Sequence, residues 1–202
     1  VYKRQLLFYQ PELETIIRTS VESKENITIH ESTVLEGFSS EKDKVFIKCK
    51  KESTSLEFEA KYLIGCDGAS SSVRKILKIE RDDLGYDQDW LVADAHLTKT
   101  TDIPKHHAKQ ICNPSRPATY VPGRRGHRRF EFKLMPGETK EELEKDEKVW
   151  ELLSPWVNPE NAELERADVY QFHAALAKDW RVGRCLIAGD AAHQMPPFMG
   201  AG

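Results

Sequence analysis

The sequence predicts an α/β fold in which a sheet-rich insertion interrupts a single α/β layer. Two short apolar strands support this prediction, because each runs directly into a turn that carries an aspartate, Asp67 in one and Asp190 in the other. Buried strands followed by Gly/Asp turns and helices are typical of α/β layers of the Rossmann-like, nucleotide-binding type. Between the two turns, several short runs alternate apolar and polar residues as the strands of a mixed sheet do. We therefore expect residues 6–83 and 176–202 in the α/β domain and residues 84–175 in the inserted sheet domain.

The composition allows one good core, or a core with a small second layer. The chain has 202 residues, of which 39% are hydrophobic and 31% are charged, and its formal net charge is −3. This balance gives no indication of nucleic acid as a partner. The basic cluster of Arg124, Arg125, Arg128 and Arg129 is short, and we interpret it as a solvated turn. No apolar run reaches membrane-spanning length and no secretory signal opens the chain, so no membrane partner is expected.

The cysteines are scattered along the chain. Cys49, Cys66, Cys112 and Cys185 have neither metal-ligand spacing nor the pattern of a disulfide framework. We therefore expect no metal site, and a reducing cytoplasmic location fits best.

Both ends of the chain look incomplete. There is no initiator Met, residues 198–202 read as the start of a helix, and Val1–Gln5 resembles the translation of a sequencing adapter. We expect a truncated fragment and leave residues 1–5 out of the fold reasoning. The alternative is that these residues are genuine, and no motif described below depends on them.

The first segment is predicted to hold one helix and then strands. Pro11, followed by Glu12 and Glu14, predicts a helix that ends near Ser23, because Pro and acidic residues suit a first helical turn. Period-two alternation over residues 44–49 and 55–60 then predicts a hairpin with one solvent-exposed face. The predicted strands are 27–30, 33–35, 44–49, 55–60 and 62–66.

The inserted segment is predicted to be mostly strand. Pro and Gly turns separate its apolar runs, and a charged amphipathic helix is predicted over residues 141–153. The predicted strands are 90–97, 110–112, 118–121, 129–135 and 169–173, and a buried strand over 184–188 returns to the α/β layer.

The first acidic turn reads Cys66-Asp-Gly-Ala-Ser-Ser-Ser-Val-Arg74. Gly68 permits a close backbone approach, and the serines can cap the helix that follows. Free amides at a helix start, beside Arg74, would suit a pyrophosphate. The alternative is an ordinary capped helix after a strand, and this segment alone favours that alternative.

The second acidic turn runs from Gly189 to Gly202 as Gly-Asp-Ala-Ala-His-Gln-Met-Pro-Pro-Phe-Met-Gly-Ala-Gly. Asp190 ends a strand, where a carboxylate commonly accepts hydrogen bonds from ribose hydroxyls. Pro196 and Pro197 make a stiff turn, and Gly200 and Gly202 would let main-chain amides approach a planar ligand. The alternative is a connector that binds no ligand.

Together, in this order and spacing, the two turns resemble fingerprints of the class A flavoprotein monooxygenases, which have the para-hydroxybenzoate hydroxylase type of fold. The family's Asp-Gly motif is matched by Asp67-Gly68-x-x-Ser71-x-x-Arg74, and its Gly-Asp motif by Gly189-Asp190-Ala-Ala-His193 with Pro196 and Gly200-x-Gly202. Segments 114–123, 129–138 and 150–156 are similar to the 3-(3-hydroxyphenyl)propionate hydroxylase branch.

The chain departs from the family pattern in four places. The family's N-terminal Gly-x-Gly-x-x-Gly turn, the acidic residue that holds the adenosine ribose and the helix expected after Gly202 are missing, and position 201 is Ala where the branch more often has Gln. We interpret the missing segments as truncation rather than loss of function, and we expect the fragment by itself to be inactive.

The resemblance implies an enzyme with FAD as its cofactor. It implies that NADH or NADPH reduces FAD, and that O₂ then hydroxylates a small aromatic substrate, a phenolic acid. Residues 6–83 and 176–202 would belong to the FAD-binding domain, and residues 84–175 would bind the substrate. The residues implied to hold FAD are Asp67, Gly68, Arg74, Gly189, Asp190, Pro196, Pro197, Gly200 and Gly202.

Substrate contacts are assigned by chemistry alone. A phenolic acid needs a cation for its carboxylate and a partner for its hydroxyl, for which Arg116 and Tyr120 are the candidates. The alternative, which we favour, is a surface salt bridge for Arg116 and a core position for Tyr120. His173 and His193 are candidate catalytic residues that would relay the phenol proton, and a structural hydrogen bond is the alternative for each.

Other functions stay open. A nicotinamide dehydrogenase with a plain Rossmann sheet is disfavoured by the missing glycine turn and the late Gly-Asp motif. A non-catalytic flavin-fold protein that binds only a ligand or partner is a second alternative. A sibling monooxygenase acting on a polyketide or antibiotic is a third, and a homodimer is compatible with each.

Overall fold

The computed structural model describes residues 8–197, and it divides into two compact units. The central unit comprises Gln88–Gln171 with the chain up to Ile27, and the flanking unit comprises Thr28–Asp87 with the chain from Phe172 onward. The domain boundaries predicted after residues 83 and 175 stay predictions.

The elements follow one another along the chain in an α/β order. They are α1 (Gln10–Glu22), β1 (Thr33–Ser40), β2 (Val45–Lys51), β3 (Thr54–Ala60), β4 (Leu63–Gly65), α2 (Ser72–Ile76), β5 (Arg81–Leu97), β6 (Lys109–Ile111), β7 (Ala118–Pro122), β8 (His127–Lys133), α3 (Lys140–Leu143), α4 (Asp146–Leu153), β9 (Ala162–Ala177), β10 (Arg181–Val182), β11 (Cys185–Ile187) and β12 (His193–Gln194), with a 3₁₀ turn over Gly189–Ala191. None of the described helices is long and apolar enough to cross a membrane.

The predicted hairpin of the flanking unit is confirmed. Strands β2 and β3 pair antiparallel from Val45 opposite Ala60 to Lys51 opposite Thr54, and β1 pairs with the other edge of β2. The strand predicted over 27–30 is wrong, because those residues form no strand and β1 instead extends to Ser40. A register shift between Leu35 and Gly37 lets β1 stay paired along this greater length.

A second sheet of the flanking unit has the order β10-β11-β4. Strands β11 and β4 are parallel, with Ile187 opposite Gly65, although more than a hundred residues separate them in sequence. Both strands were predicted, and both are shorter than predicted. This parallel pair fixes where the two acidic turns leave the sheet.

The largest sheet has the order β12-β9-β5-β8-β7-β6. In the central unit, one face of this sheet packs on α3 and α4 in a core that contains Leu91, Phe130, Phe132, Leu143 and Leu153. Because side chains alternate across a strand, the opposite face carries Asp94, Thr119 and Glu131, which are buried polar residues. The inserted segment is therefore a sheet, as predicted, with one apolar and one polar face.

The helix predicted over 141–153 is interrupted. Thr139 and Glu142 form a capping box that starts α3, and the chain leaves the helix at Glu144 before α4 begins. The Glu144 carboxylate accepts a hydrogen bond from the backbone N–H of Val169 at 2.7 Å. This tie to β9 accompanies a break that periodicity alone does not reveal.

The arginine cluster is only partly the solvated turn that was predicted. Arg124 and Arg125 are exposed, but Arg128 is buried and donates to the carbonyl oxygens of Gly123 and His127. Arg129 donates to the carboxylate of Asp94. The last two arginines are therefore part of the packed sheet.

Candidate functional site

The two acidic turns leave the carboxyl ends of neighbouring parallel strands. The Ala188 N–H donates to the Gly65 carbonyl at 2.9 Å, one residue beyond the last paired residue of β11. The chain therefore enters both turns at the same edge of the sheet, which is where open α/β sheets bind their ligands.

The Asp67 carboxylate organises the first turn. It accepts hydrogen bonds from the Ser71 hydroxyl at 2.5 Å and from the N–H groups of Ser72 and Val73 at 2.7 and 3.0 Å. Burial opposes ionisation, but these donors outweigh it and hold the pKa of Asp67 below its usual value. Ser71 in turn caps α2 by accepting from the Arg74 N–H at 2.9 Å. The amides of Ser72 and Val73 at this helix start are therefore occupied by Asp67, and the prediction that they are free is wrong.

Arg74 joins the first turn to the second. Its side chain is buried, and its guanidinium donates to the Ala191 carbonyl and to the Ala69 carbonyl, each at 2.7 Å. A role at a pyrophosphate stays a prediction. The geometry gives Arg74 a structural role, because the two turns hold their relative position through it.

The second turn presents a free carboxylate. Gly189 has φ +60°, in the left-handed region that favours glycine, and begins a 3₁₀ turn through Ala191. Asp190 is exposed, and its carboxylate has no hydrogen bond to any residue in the range 8–197.

Gly68 in the first turn has φ +75°, and an added Cβ at Gly68 or Gly189 would meet no atom within 4 Å. Both turns therefore leave open space beside their backbones.

A cavity of about 420 Å³ lies beside the two turns. Ala69 and Ser70 line it from the first turn and Gln194 from the second. Arg81 of β5 also lines it and donates to the Gln194 side-chain oxygen. Arg81 was missed in the sequence because it belongs to no recognisable motif, and Gln194, which lies within the second acidic turn, was not singled out because only the folded sheet brings it to Arg81.

His173, a candidate catalytic residue, lines the same cavity. Its Nδ1 hydrogen-bonds to the Asp87 carboxylate across β9 and β5. A carboxylate on one ring nitrogen fixes the orientation of the imidazole and directs proton exchange to the other nitrogen, Nε2. Asp87 was not a sequence candidate, since its partner lies 86 residues away.

The other candidates beside the second turn are placed less centrally. His193 is half-buried and stacks on Trp180, with ring centroids 5.6 Å apart and an interplanar angle of 13°. Pro196 is half-buried and Pro197 is exposed. The predictions for Gly200 and Gly202 lie outside the described residues.

The two substrate candidates belong to the central unit and are engaged within it. Arg116 binds both carboxylate oxygens of Glu138 and donates to the Lys133 carbonyl at 3.0 Å. Tyr120 is buried in the core, and its hydroxyl donates to the Pro104 carbonyl. These contacts match the structural alternatives favoured in the sequence analysis, and a substrate role for either residue stays a prediction.

The residues beside the two turns fit part of an FAD molecule. FAD carries ribityl and ribose hydroxyls, which can donate hydrogen bonds to a free carboxylate such as that of Asp190. It also carries polar ring edges, to which the side chains of Arg81 and Gln194 can donate hydrogen bonds. Gly68 and Gly189 leave the backbone open to close approach by a ligand. The donor and acceptor set therefore suits this cofactor.

Comparisons with known proteins agree with this geometry. A family model described as "FAD binding domain" matches residues 1–202. A probable NADH-specific resorcinol 4-hydroxylase from Rhodococcus jostii is 36% identical, and the match covers 98% of this chain and 38% of that protein. A 3-(3-hydroxy-phenyl)propionate/3-hydroxycinnamic acid hydroxylase from Escherichia coli is also 36% identical, over 100% of this chain and 36% of that protein. The chain thus spans little more than a third of the curated relatives that it matches.

Two solved structures confirm the fold class. Aklavinone-11 hydroxylase, in a complex with FAD and aklavinone, superposes with a TM-score of 0.82 at 24% identity, over 96% of this chain and 38% of that chain. The p-nitrophenol 4-monooxygenase of Pseudomonas putida superposes with a TM-score of 0.84 at 21% identity, over 95% of this chain and 49% of that chain. At these identities the likeness shows the α/β fold of FAD-dependent hydroxylases.

Proposed function

Because the chain belongs to the FAD-binding domain family, we propose that it is part of an FAD-dependent monooxygenase that hydroxylates a phenolic compound with NAD(P)H and O₂. One observation carries the proposal: Arg74 clamps two acidic turns side by side on parallel strands, and the second turn offers the free carboxylate of Asp190. The two relatives are named for resorcinol and for 3-(3-hydroxy-phenyl)propionate, and these names support a single-ring phenol as the substrate class.

In this proposal the chain binds and orients, while FAD, when bound, supplies the transfer of electrons from NAD(P)H to O₂. Asp190 accepts hydrogen bonds from cofactor hydroxyls, and Arg81 and Gln194 donate to a polar ring edge. Asp67 and Arg74 keep the shapes of the two turns. Pro196 and Pro197 add a stiff wall after the second turn.

His173 is the better placed of the two candidate proton acceptors. It lines the cavity beside the turns, and Asp87 leaves its Nε2 as the nitrogen that exchanges a proton. His193 is stacked on Trp180, which favours its structural alternative. We therefore propose His173 as the residue that takes the proton of a phenol.

Three other functions were open from the sequence. The family match argues against a plain nicotinamide dehydrogenase. A sibling monooxygenase acting on a larger polyketide and a non-catalytic flavin-binding protein remain outcomes of the test. A cytoplasmic location is proposed from cysteine usage, and a homodimer is compatible with the proposal.

The test uses the full-length protein that contains this chain. We expect a flavin absorption spectrum, and NADH or NADPH oxidation that 3-(3-hydroxyphenyl)propionate or resorcinol stimulates, with a product that carries one additional hydroxyl group by mass spectrometry. A colourless protein that takes up no FAD would overturn the proposal. Bound flavin without stimulation by either phenol would leave the non-catalytic protein or the polyketide monooxygenase.

A matched pair of variants tests the part played by the second turn. Asp190→Asn should weaken FAD binding roughly tenfold or more, since a hydrogen bond to a charged group contributes about 1.5–3 kcal/mol. Asp179→Asn changes another exposed aspartate of the same unit and should leave FAD binding unchanged. Equal FAD affinities in the two variants would exclude Asp190 from the cofactor site.

A further inference from the structure

The chain between β9 and β10 contacts both ends of the 3₁₀ turn that follows β11. Before this turn, the Ile187 N–H donates to the Trp180 carbonyl oxygen at 3.1 Å. After it, the Ala177 N–H donates to the Ala192 carbonyl oxygen at 2.7 Å. We call residues 177–180 the brace, because they hold the start and the end of the turn at once. The brace and the turn both lie in the flanking unit.

Trp180 strengthens the brace with its side chain. Its indole Nε1–H donates to the Ala177 carbonyl oxygen at 3.2 Å. The face of the indole stacks on the imidazole of His193, and an aromatic pair of this kind stabilises its arrangement beyond the area that it buries. Trp180 therefore contacts the chain before the 3₁₀ turn through its backbone and the chain after the turn through its ring.

The end of the turn has little regular structure of its own to fix it. Strand β12 consists of His193 and Gln194, which pair with Leu176 and Ala175 of β9. Strands in globular proteins usually have three residues or more, so a two-residue strand is weakly held by its ladder alone. The stack on Trp180 adds a side-chain contact at the first residue of this strand. It therefore helps to decide where His193 lies.

The position of His193 matters because candidate binding groups lie on both sides of it in the sequence. Asp190, three residues earlier, presents its exposed carboxylate. Gln194, the next residue, lines the cavity beside the two turns and accepts a hydrogen bond from Arg81. Binding groups keep a productive geometry when the residues that support them are themselves fixed by packing. A displaced His193 would therefore change the direction of both groups.

We infer that Trp180 is a positioning residue of the candidate cofactor site, which fixes His193 and through it the directions of Asp190 and Gln194. The inference rests on the proposed function and deepens it, because it names a residue on which the shape of the site depends. An indole that served only to fill a core would be buried, whereas Trp180 is 48% exposed. Its removal should therefore affect the site more than the stability of the fold.

Three variants of the full-length protein test this role. Trp180→Leu removes the aromatic ring, and Trp180→Phe keeps a ring for His193 but loses the Nε1–H donor. Tyr62→Leu is the matched control, because Tyr62 is a 51% exposed aromatic residue of the same unit whose ring faces Arg184. For each variant, the dissociation constant of FAD is measured by the quenching of flavin fluorescence, and the free energy of unfolding by urea titration.

Trp180→Leu should weaken FAD binding roughly threefold to tenfold, which is the range that an aromatic pair contributes. Trp180→Phe should recover most of this loss, and Tyr62→Leu should bind FAD as the wild-type protein does. A merely structural indole would instead lower the free energy of unfolding and leave the dissociation constant of FAD unchanged. If Trp180→Leu fails to fold by circular dichroism, His193→Leu removes the same stack from its other ring and carries the test.

A double variant shows whether Trp180 acts through His193. Because the two rings share one contact, Trp180→Leu combined with His193→Leu should weaken FAD binding no more than His193→Leu does alone. Losses of affinity that simply add would mean that Trp180 does not act through the imidazole, and the inference would be overturned.

Hydrogen exchange of the FAD-free full-length protein gives a readout that needs no cofactor. Trp180→Leu should speed amide exchange in residues 188–194 relative to Tyr62→Leu, because the turn opens more readily without the stack. A wild-type protein that takes up no FAD would refute the proposed function, while this comparison would still judge Trp180. Equal exchange of residues 188–194 in Trp180→Leu and Tyr62→Leu, or equal dissociation constants of FAD, would overturn the inference.

Discussion

Arg74 shows, at the scale of single residues, how one buried charge joins segments that are far apart in sequence. Its two hydrogen bonds to Ala69 and Ala191 span both turns. Arg74→Met should lower the free energy of unfolding by about 2–4 kcal/mol, because it leaves the buried Ala191 carbonyl and the part-buried Ala69 carbonyl without their donors. Urea titration of the full-length protein, followed by circular dichroism, measures this change.

The neighbouring Lys75 provides the control for that prediction. Lys75 is exposed in the same short helix, so Lys75→Met should change the free energy of unfolding by less than about 0.5 kcal/mol. Equal stability of Arg74→Met and Lys75→Met would show that the two carbonyl bonds contribute nothing measurable.

Single residues were predicted from sequence where a motif carried them. Asp67 and Gly68 were candidates because they match the Asp-Gly motif of the family that the chain resembles, and their cofactor role stays a prediction. The ion pairs that Asp94 forms with Arg129 and Arg166 were not predicted, because they depend on strand register, which a single sequence leaves undetermined. Arg129 was even assigned to a solvated turn, since four arginines close together look like a surface cluster.

At the scale of elements, β4 and α2 meet so closely that only glycine fits at position 65. A Cβ built on Gly65 would lie 2.7 Å from the Cβ of Val73, and a β-branched side chain cannot turn away from it. Gly65→Ala should therefore displace α2, lower the free energy of unfolding by about 1–3 kcal/mol and weaken FAD binding. Thermal unfolding and FAD titration of the full-length protein measure both effects.

Gly37 on β1 is the matched glycine. A Cβ there would meet nothing within 4 Å, so Gly37→Ala should change the free energy of unfolding by no more than about 1 kcal/mol. If Gly65→Ala behaved like Gly37→Ala, the contact between β4 and α2 would not be what sets the position of the first turn.

Element types were predicted better than element lengths. The β2–β3 hairpin alternates cleanly and was found, whereas the long strand β5 begins nine residues before its predicted start at Trp90. Residues 81–89 are mostly exposed, and burial is what creates the alternation that reveals a strand. The break between α3 and α4 was not predicted, because it coincides with a tertiary contact from Glu144 to β9 that periodicity does not reveal.

At the scale of the whole molecule, the candidate cofactor site exists only when two distant segments fold together. Strands β4 and β11 pair in parallel, and Arg74 reaches from one turn to the other. The order of the two motifs in the sequence indicated a common site through family resemblance, but the clamp itself could not be predicted, since each turn alone reads as an ordinary connection. The two turns should therefore respond to FAD as one unit.

Hydrogen exchange of the full-length protein, with and without FAD, tests this cooperation. FAD should slow amide exchange in residues 66–74 and 188–194 together, because ligand binding stabilises a local unit against opening. The β2–β3 hairpin lies in the same unit but contributes no residue lining the cavity beside the turns, so its exchange should change little. In Arg74→Met the protection of the two turns should separate, with one turn losing more protection than the other. Protection of a single turn in the wild-type protein would mean that the turns bind independently and that the clamp serves only stability.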